Sequence, residues 1–308
     1  MPELSIIVPT CSRQVPLEQC LRSLVHQSLS RERYEIVLVN NGDKEHARLF
    51  IAPIVQAVDP GIRVLQAPKN LGYAGGCRYG VDNTDSEYII FHNDDAIADP
   101  AWLALALSEF KKTPDLGALV CRVVDATGPR IQHEGVTQVV PNALFWQTGW
   151  GEIDSPKRFE EPRVDLEFFG GCIWGTTRSV WEKVGGLGNL YHPGYYEDTE
   201  FGLRCRQLGY RIRLLTQVTC SHYGSLTLGS ASNAYWIAFH RSRLLFLLRN
   251  RTVFRNKEIL RAEWRWWMDI GADSHPFTCL LGWITAIPRI PRALMDRRQF
   301  KKKCLQGL

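Results

Sequence analysis

Over its first 120 residues the chain alternates short apolar runs with helical spacing, and this alternation restricts the fold more than any other feature. The runs "LSIIVP", "YEIVLVN", "IRVLQA", "EYIIFH" and "GALVCRVV" read as strands, and residues 16–28, 44–57, 73–83 and 100–112 between them read as helices. Strands that take turns with helices predict an α/β fold, a mostly parallel sheet with helices on both faces. Such sheets bind ligands beyond the carboxyl ends of their strands. Polar clusters stand at those ends, at residues 10–13, 40–43, 70–76 and 92–95. Four successive tips therefore aim polar groups at one crevice. Residues 125–168 are less regular and read as ribbons or loops, and no internal repeat suggests a solenoid.

The most expensive of these tips is "FHNDDAIADP", where an apolar run ends in Asn93, Asp94 and Asp95. Adjacent carboxylates repel each other unless hydrogen-bond donors or a cation compensate them, and a divalent metal is the commonest compensator. Asp99 before Pro100 is accounted for by helix initiation, which leaves Asp94 and Asp95 unexplained. In the second half, "GGCIWGTTRSVWEKVGG" predicts a helix starting at Thr177. "YYEDTEFGLRCRQLGYRIRLL" places Glu197, Asp198 and Glu200 in a helix's first turn. The helix dipole favours acids there, but carboxylates that follow a Gly/Tyr loop equally face a crevice. "QVTCSHYGS" reads as a strand ending at His222, and a lone histidine is more often structural than a ligand.

The nine cysteines form no C-x-x-C pair and no metal spacing, as expected of reduced core thiols in a cytosolic protein. Met1 runs straight into a strand without a secretion-signal pattern. Charge is split along the chain: residues 1–240 hold 22 Lys/Arg against 27 Asp/Glu, whereas 241–308 hold 15 against 5. A basic tail suits nucleic acid or an anionic membrane surface. Trp264, Trp266, Trp267 and Trp283, with the apolar "FTCLLGWITAIP", favour the membrane, although that stretch is too short to span it. The competing reading is a basic helical cap on the body.

Six segments together resemble an inverting family 2 glycosyltransferase of GT-A fold, closest to its rhamnosyltransferase-like branch. They are "SIIVPTCSR" at 5–13, "NLGYAGGCRYG" at 70–80, "HNDDAIADPAWL" at 92–103, "GGCIWGTTRSVWEKVGGL" at 170–187, "YYEDTEFGLRCRQLGYRI" at 195–212 and "HYGS" at 222–225. The resemblance implies a Rossmann-like GT-A domain over 1–250, with a donor half to 124 and an acceptor half from 125, and a helical, basic, membrane-associating tail at 251–308. It implies that Asp95 holds Mg²⁺ or Mn²⁺ across the diphosphate of a nucleotide-sugar, with Asp94 and Asn93 close by and His222 near the metal. Hard oxygen donors suit these ions better than zinc.

Pro9, Thr10, Arg13, Asn40 and Asn41 fall where the family cradles the base and ribose, Asn40 standing where the family usually has Asp. Asn70, Gly72, Ala74 and Gly75 would allow close backbone approach to the donor, and Arg78 would supply a cation, against the default of a solvated helix arginine. The family's "ED" pair maps onto Glu197 and Asp198, with Asp198 as the base; Glu197 orients it or binds acceptor hydroxyls. Trp174 and Glu200 belong to the acceptor side. The implied function is transfer of a sugar, first rhamnose from dTDP-rhamnose, to a hydroxyl of a lipid-linked cell-surface glycan, on the inner face of the cell membrane and without nucleic acid. A UDP-sugar galactofuranosyl or hexosyl transferase is the alternative, followed by a non-catalytic glycan- or nucleotide-binding protein. A dehydrogenase fails for want of G-x-G-x-x-G, and a sugar-nucleotide pyrophosphorylase would begin with a Gly-rich basic loop unlike "PTCSRQVP".

Overall fold

In the computed structural model, "LSIIVPT" is buried at every position because it lies between two parallel neighbours and is covered on both faces. Leu4, Ile6 and Val8 point into one apolar layer and Ile7 into the other, the two-residue alternation of a strand. The structure describes residues 1–11, 16–135, 141–144, 147–155, 163–224, 232–250, 256–268 and 276–305. In chain order the body comprises β1 (Leu4–Thr10), α1 (Leu17–Val25), β2 (Tyr34–Asn40), α2 (Lys44–His46), α3 (Ala52–Val58), β3 (Arg63–Gln66), α4 (Gly72–Asp82), β4 (Tyr88–His92), β5 (Ala96–Ile97) and α5 (Trp102–Lys112). It continues with β6 (Leu116–Asp125), β7 (Ile131–His133), β8 (Arg163–Leu166), β9 (Ile173–Thr177), α6 (Arg178–Val184), α7 (Glu197–Gln207) and β10 (Arg211–His222). Four helices follow: α8 (Asn233–Arg249), α9 (Asn256–Met268), α10 (Pro276–Ala286) and α11 (Ile290–Leu305).

The strands form one sheet in the order β3-β2-β1-β4-β9-β6-β10-β5, with β7 beside β6 and β8 beside β10. The first four positions are parallel, as the sequence alternation predicts. The fifth apolar run, β6, does not join β4. Instead β9 is inserted antiparallel between them, and β10 then pairs parallel to β6. Gly175 permits the insertion, since a Cβ there would stand 2.5 Å from Ile90 Cδ1. On the other side of the sheet α4 lies close to β1 because Gly80 leaves room for Ile7, whose Cγ2 would be 2.4 Å from an added Cβ.

The helices after β10 are not a separate appendage. Leu245, Phe246, Ala286 and Ala293 share one buried cluster with Tyr191, Tyr196 and Leu203 of the body. Gly282 lets α10 approach α8 closely, where a Cβ would lie 2.8 Å from Ile237 O. The fully buried Arg243 of α8 pairs with Glu263 of α9 and donates to Asn142 O at 3.1 Å. Arg249 reaches Glu200 at 2.9 Å and Asp296 of α11 at 3.6 Å. Cys11, Cys20, Cys77, Cys121, Cys172, Cys205, Cys220 and Cys279 are free thiols, all buried except Cys11.

Candidate active site

β4 ends the buried run "YIIFH", and beyond it the chain leaves the sheet in a tight turn, with Ala96 N–H donating to Asn93 O at 3.3 Å. Asp94 and Asp95 remain buried in that turn. Asp99 is occupied elsewhere, its Oδ1 accepting from Ala101 N–H at 2.8 Å just before α5. The short strand β5 pairs antiparallel with the end of β10, placing His222 opposite Ala96. That register brings His222 Nε2 to 3.0 Å from Asp95 Oδ1. Gln132 on β7 holds the ring from behind: its Oε1 lies 2.9 Å from Nδ1, and its Nε2 donates to His222 O at 2.9 Å. With the amide oxygen beside Nδ1, the ring turns Nε2 toward the Asp95 carboxylate.

Burial pushes the Asp94 carboxyl up to about 7 against the pull of the Thr10 hydroxyl, and the Asp95 charge adds to the rise. Asn93 Oδ1 is buried without a partner. Crowded acids and an orphaned amide oxygen ask for positive charge, and with the His222 ring nitrogen beside them the donor set fits Mg²⁺ or Mn²⁺. Among the described residues no three His, Cys, Asp or Glu side chains close into a cage.

The second acidic centre is the start of α7. Tyr195 and Tyr196, immediately before it, both adopt left-handed backbone, with φ of 74° and 73°. Each costs of order 1–3 kcal/mol and persists only when its surroundings fix it. Tyr196 donates to Ala143 O at 2.6 Å and packs on Phe239 and Phe246. The turn delivers Glu197 and Asp198 side by side. Asp198 Oδ2 accepts from Gly171 N–H at 2.5 Å, and Oδ1 accepts from Thr199 N–H at 2.6 Å. Burial raises the Asp198 pKa, and these hydrogen bonds hold it back. Burial and the Asp198 charge together push Glu197 up to about 8, and its Oε2 is buried without a partner. The pair is therefore asymmetric: hydrogen-bond donors favour the charged form of Asp198, and none reaches Glu197 Oε2. The segment 171–172 joins both centres, because Cys172 O accepts from Asn93 N–H at 2.8 Å while Gly171 holds Asp198.

This asymmetry has a measurable sign. Because folding pushes the Glu197 carboxyl above its ordinary pKa of 4.5, the stability its protonated form contributes is complete below that value and is lost as pH rises through about 8. Glu197→Gln should therefore melt close to wild type near pH 5 and a few degrees above it at pH 8.5, read by calorimetry. A variant that tracks the wild type at both pH values refutes the elevated carboxyl.

At the tips of β1, β2 and β3 a cleft of about 540 Å³ is lined by Asn41, Asp43, Lys44, Gln66, Lys69 and Asn70 among others. Its size suits a small ligand. Pro9 and Thr10 are buried at the end of β1 on the way to Asp94. Asn41 spans from β2 to α4, its Nδ2 donating to Gly72 O at 3.1 Å, and Asn70 Oδ1 accepts from Gly72 N–H at 2.9 Å. Arg13 lies outside the described residues.

Several expected contacts take another form. Asn40 cannot read a base, because Asp43 O, Gln66 Oε1, Gly42 N–H and His46 Nδ1 fill all the positions of its amide. The glycine-rich segment is filled by the chain itself. Gly72, at φ +69°, faces His192, Gly75 faces Leu71, and Ala74 is buried in the core. Arg78 donates to Gly185 O at 2.9 Å and to Leu187 O at 3.2 Å, bracing the end of α6 rather than facing the crevice. Trp174 is fully buried on β9 among Phe91, Phe169 and Phe201, with its indole edge against Gly171. Glu200 is buried with Arg204 and Arg249 and serves α8. Conversely, Gln132, Lys44 and Lys69 carry no local motif, and Gly171 lies in a matched segment that assigns it no role; the strand register and the tip geometry reveal them.

Residues 5–185 match the family described as Glycosyl transferase family 2. Galactofuranosyltransferase GlfT2 of Mycolicibacterium smegmatis is 26% identical over 269 residues, which cover 81% of this chain and 40% of that protein. The chain thus spans less than half the length of this relative. The structure of GalNAc-T7 with UDP, GalNAc and Mn²⁺ aligns at a TM-score of 0.62 and 13% identity, over 82% of this chain and 51% of that one. Mannosyltransferase PcManGT from Pyrobaculum calidifontis, in complex with GDP-Man and Mn²⁺, aligns at 0.57 and 16% identity, over 99% and 87%. These likenesses establish the GT-A fold. With a family match across more than half of its length and acidic strand tips in the matched region, the chain belongs to glycosyl transferase family 2.

Proposed function

We propose that this protein is an inverting, metal-dependent glycosyltransferase that moves a sugar from a nucleoside diphosphate to a hydroxyl of a lipid-linked cell-surface glycan. The observation that carries the reading is the joining of a cation-seeking centre, Asp95 with His222, to a carboxylate base, Asp198, through the two residues Gly171 and Cys172. In this reaction Asp198 takes the proton of the acceptor hydroxyl as its oxygen bonds to the sugar C1. The C1–phosphate oxygen bond breaks on the opposite face, and its electron pair leaves with the diphosphate. Asp95 and His222 would hold Mg²⁺ or Mn²⁺, which when bound neutralises charge on that leaving group. The cleft beside Asn41, Lys44 and Lys69 would take the nucleoside. Mn²⁺ in two solved relatives of the same fold supports the choice of ion.

The motif resemblance makes dTDP-rhamnose the first donor, and the likeness to GlfT2 supports UDP-galactofuranose as the second. The excess of Lys and Arg after residue 240 supports a peripheral place on an anionic membrane, on its cytoplasmic face where free thiols persist. No described helix is long and apolar enough to cross a membrane. A panel of dTDP-, UDP- and GDP-sugars, read by thermal shift and slow donor hydrolysis with Mn²⁺, tests the proposal. One donor should stabilise the protein and be hydrolysed only with the ion. A protein that binds a donor but neither hydrolyses nor transfers it is a binding protein instead.

A further inference from the structure

We infer that the outward face of α10, flanked by the basic stripe of α9, is the element that enters the membrane interface. Phe277, Leu280, Ile284 and Ile287 recur at helical spacing and are 51–70% exposed. The opposite face, with Thr278, Cys279, Gly282 and Ala286, is buried. Such a stripe is a whole apolar face without a neighbour among the described residues, unlike scattered surface apolar residues. Trp267 and Trp283, with ring centroids 6.2 Å apart, join α9 to α10. On α9 the exposed Leu260, Trp264 and Met268 run beside the exposed Lys257, Arg261 and Arg265.

Apolar side chains beside cations match the two layers of an anionic bilayer surface, acyl chains beneath phosphate headgroups. A second copy of the chain fits this face poorly, because pairing it with itself would bring two strongly basic tails together. Eleven residues of helix reach only about 16 Å, half of a bilayer's hydrocarbon thickness, so α10 lies in the surface instead of crossing it. The face is wired to the active site. Just beyond α10, Arg289 Nη1 donates to His192 O at 2.8 Å, in the loop that leads to Glu197.

The inference deepens the membrane-surface part of the proposed function and rests on it. The test is co-sedimentation of the full chain with phosphatidylcholine vesicles with and without phosphatidylglycerol. Wild type should pellet with the anionic vesicles, and brominated lipid should quench its tryptophan fluorescence, a reading of insertion that needs no substitution. F277S/I284S, changed only at exposed positions, should keep the wild-type melting temperature and bind about 10- to 100-fold more weakly. R261E/R265E should lose the preference for phosphatidylglycerol. If F277S/I284S binds like wild type while R261E/R265E does not, attachment is by charge alone; the inference falls and the membrane reading stands. Wild type that fails to pellet overturns both. If wild type sediments as a dimer without lipid and F277S/I284S as a monomer, a second copy is the occupant and the inference falls.

Discussion

Asp198→Asn is expected to bind donor and cation as the wild type does and to turn over about 10²–10⁴-fold more slowly, the scale of a lost general base. The argument is geometric. The amide is nearly isosteric, so its oxygen can keep one of the hydrogen bonds from Gly171 and Thr199, but it cannot accept the acceptor's proton. Glu197→Gln is expected to cost much less, because burial pushes the Glu197 carboxyl up toward its neutral form, which an amide imitates. Initial rates of sugar transfer, with donor affinity measured alongside, separate the two variants. Near-normal turnover in Asp198→Asn with collapse in Glu197→Gln would move the base by one residue.

The second large effect is loss of cation-dependent donor binding in Asp95→Ala. That substitution removes the carboxylate 3.0 Å from His222 and leaves Asp94 as the sole acid of the turn. Titration calorimetry of the donor with Mn²⁺, repeated with a chelator, should show the wild type losing affinity on chelation and the variant having none to lose. Donor affinity that is unchanged in Asp95→Ala and insensitive to the chelator defeats the metal assignment.

The parallel half of the sheet was legible because β1, β2, β3 and β4 follow one another in both sequence and space, and strand periodicity is a local signal. The acidic tips were legible because charge after a buried strand is costly wherever it occurs. The position of β9 was not, since an antiparallel strand between β4 and β6 depends on pairing across the whole chain. Side-chain direction was a second limit. Trp174 sits within a matched segment, yet its position on β9 turns it into the core. Asn40 stands at a strand tip, and neighbours invisible to local pattern consume its amide. Glu200 shares a helical turn with Asp198, but two residues of separation rotate it by more than half a turn toward α8. Gln132 illustrates the reverse case, an unremarked polar residue that the register of β7 sets behind His222.

The pairing of Arg243 with Glu263 makes α8 the seam of this molecule. A chain cut after residue 250 keeps Arg243 inside and discards its counter-charge, and an orphaned buried ion of that kind costs about 3–5 kcal/mol. Transplanting the terminal helices onto another catalytic body meets the same obstacle from the other side, since Glu263 would arrive without its arginine. A graft boundary placed just before Asn233, so that α8 travels with α9, α10 and α11, keeps this ion pair intact and leaves the Glu200–Arg249 bridge and the Arg243 contact with Asn142 O to be rebuilt.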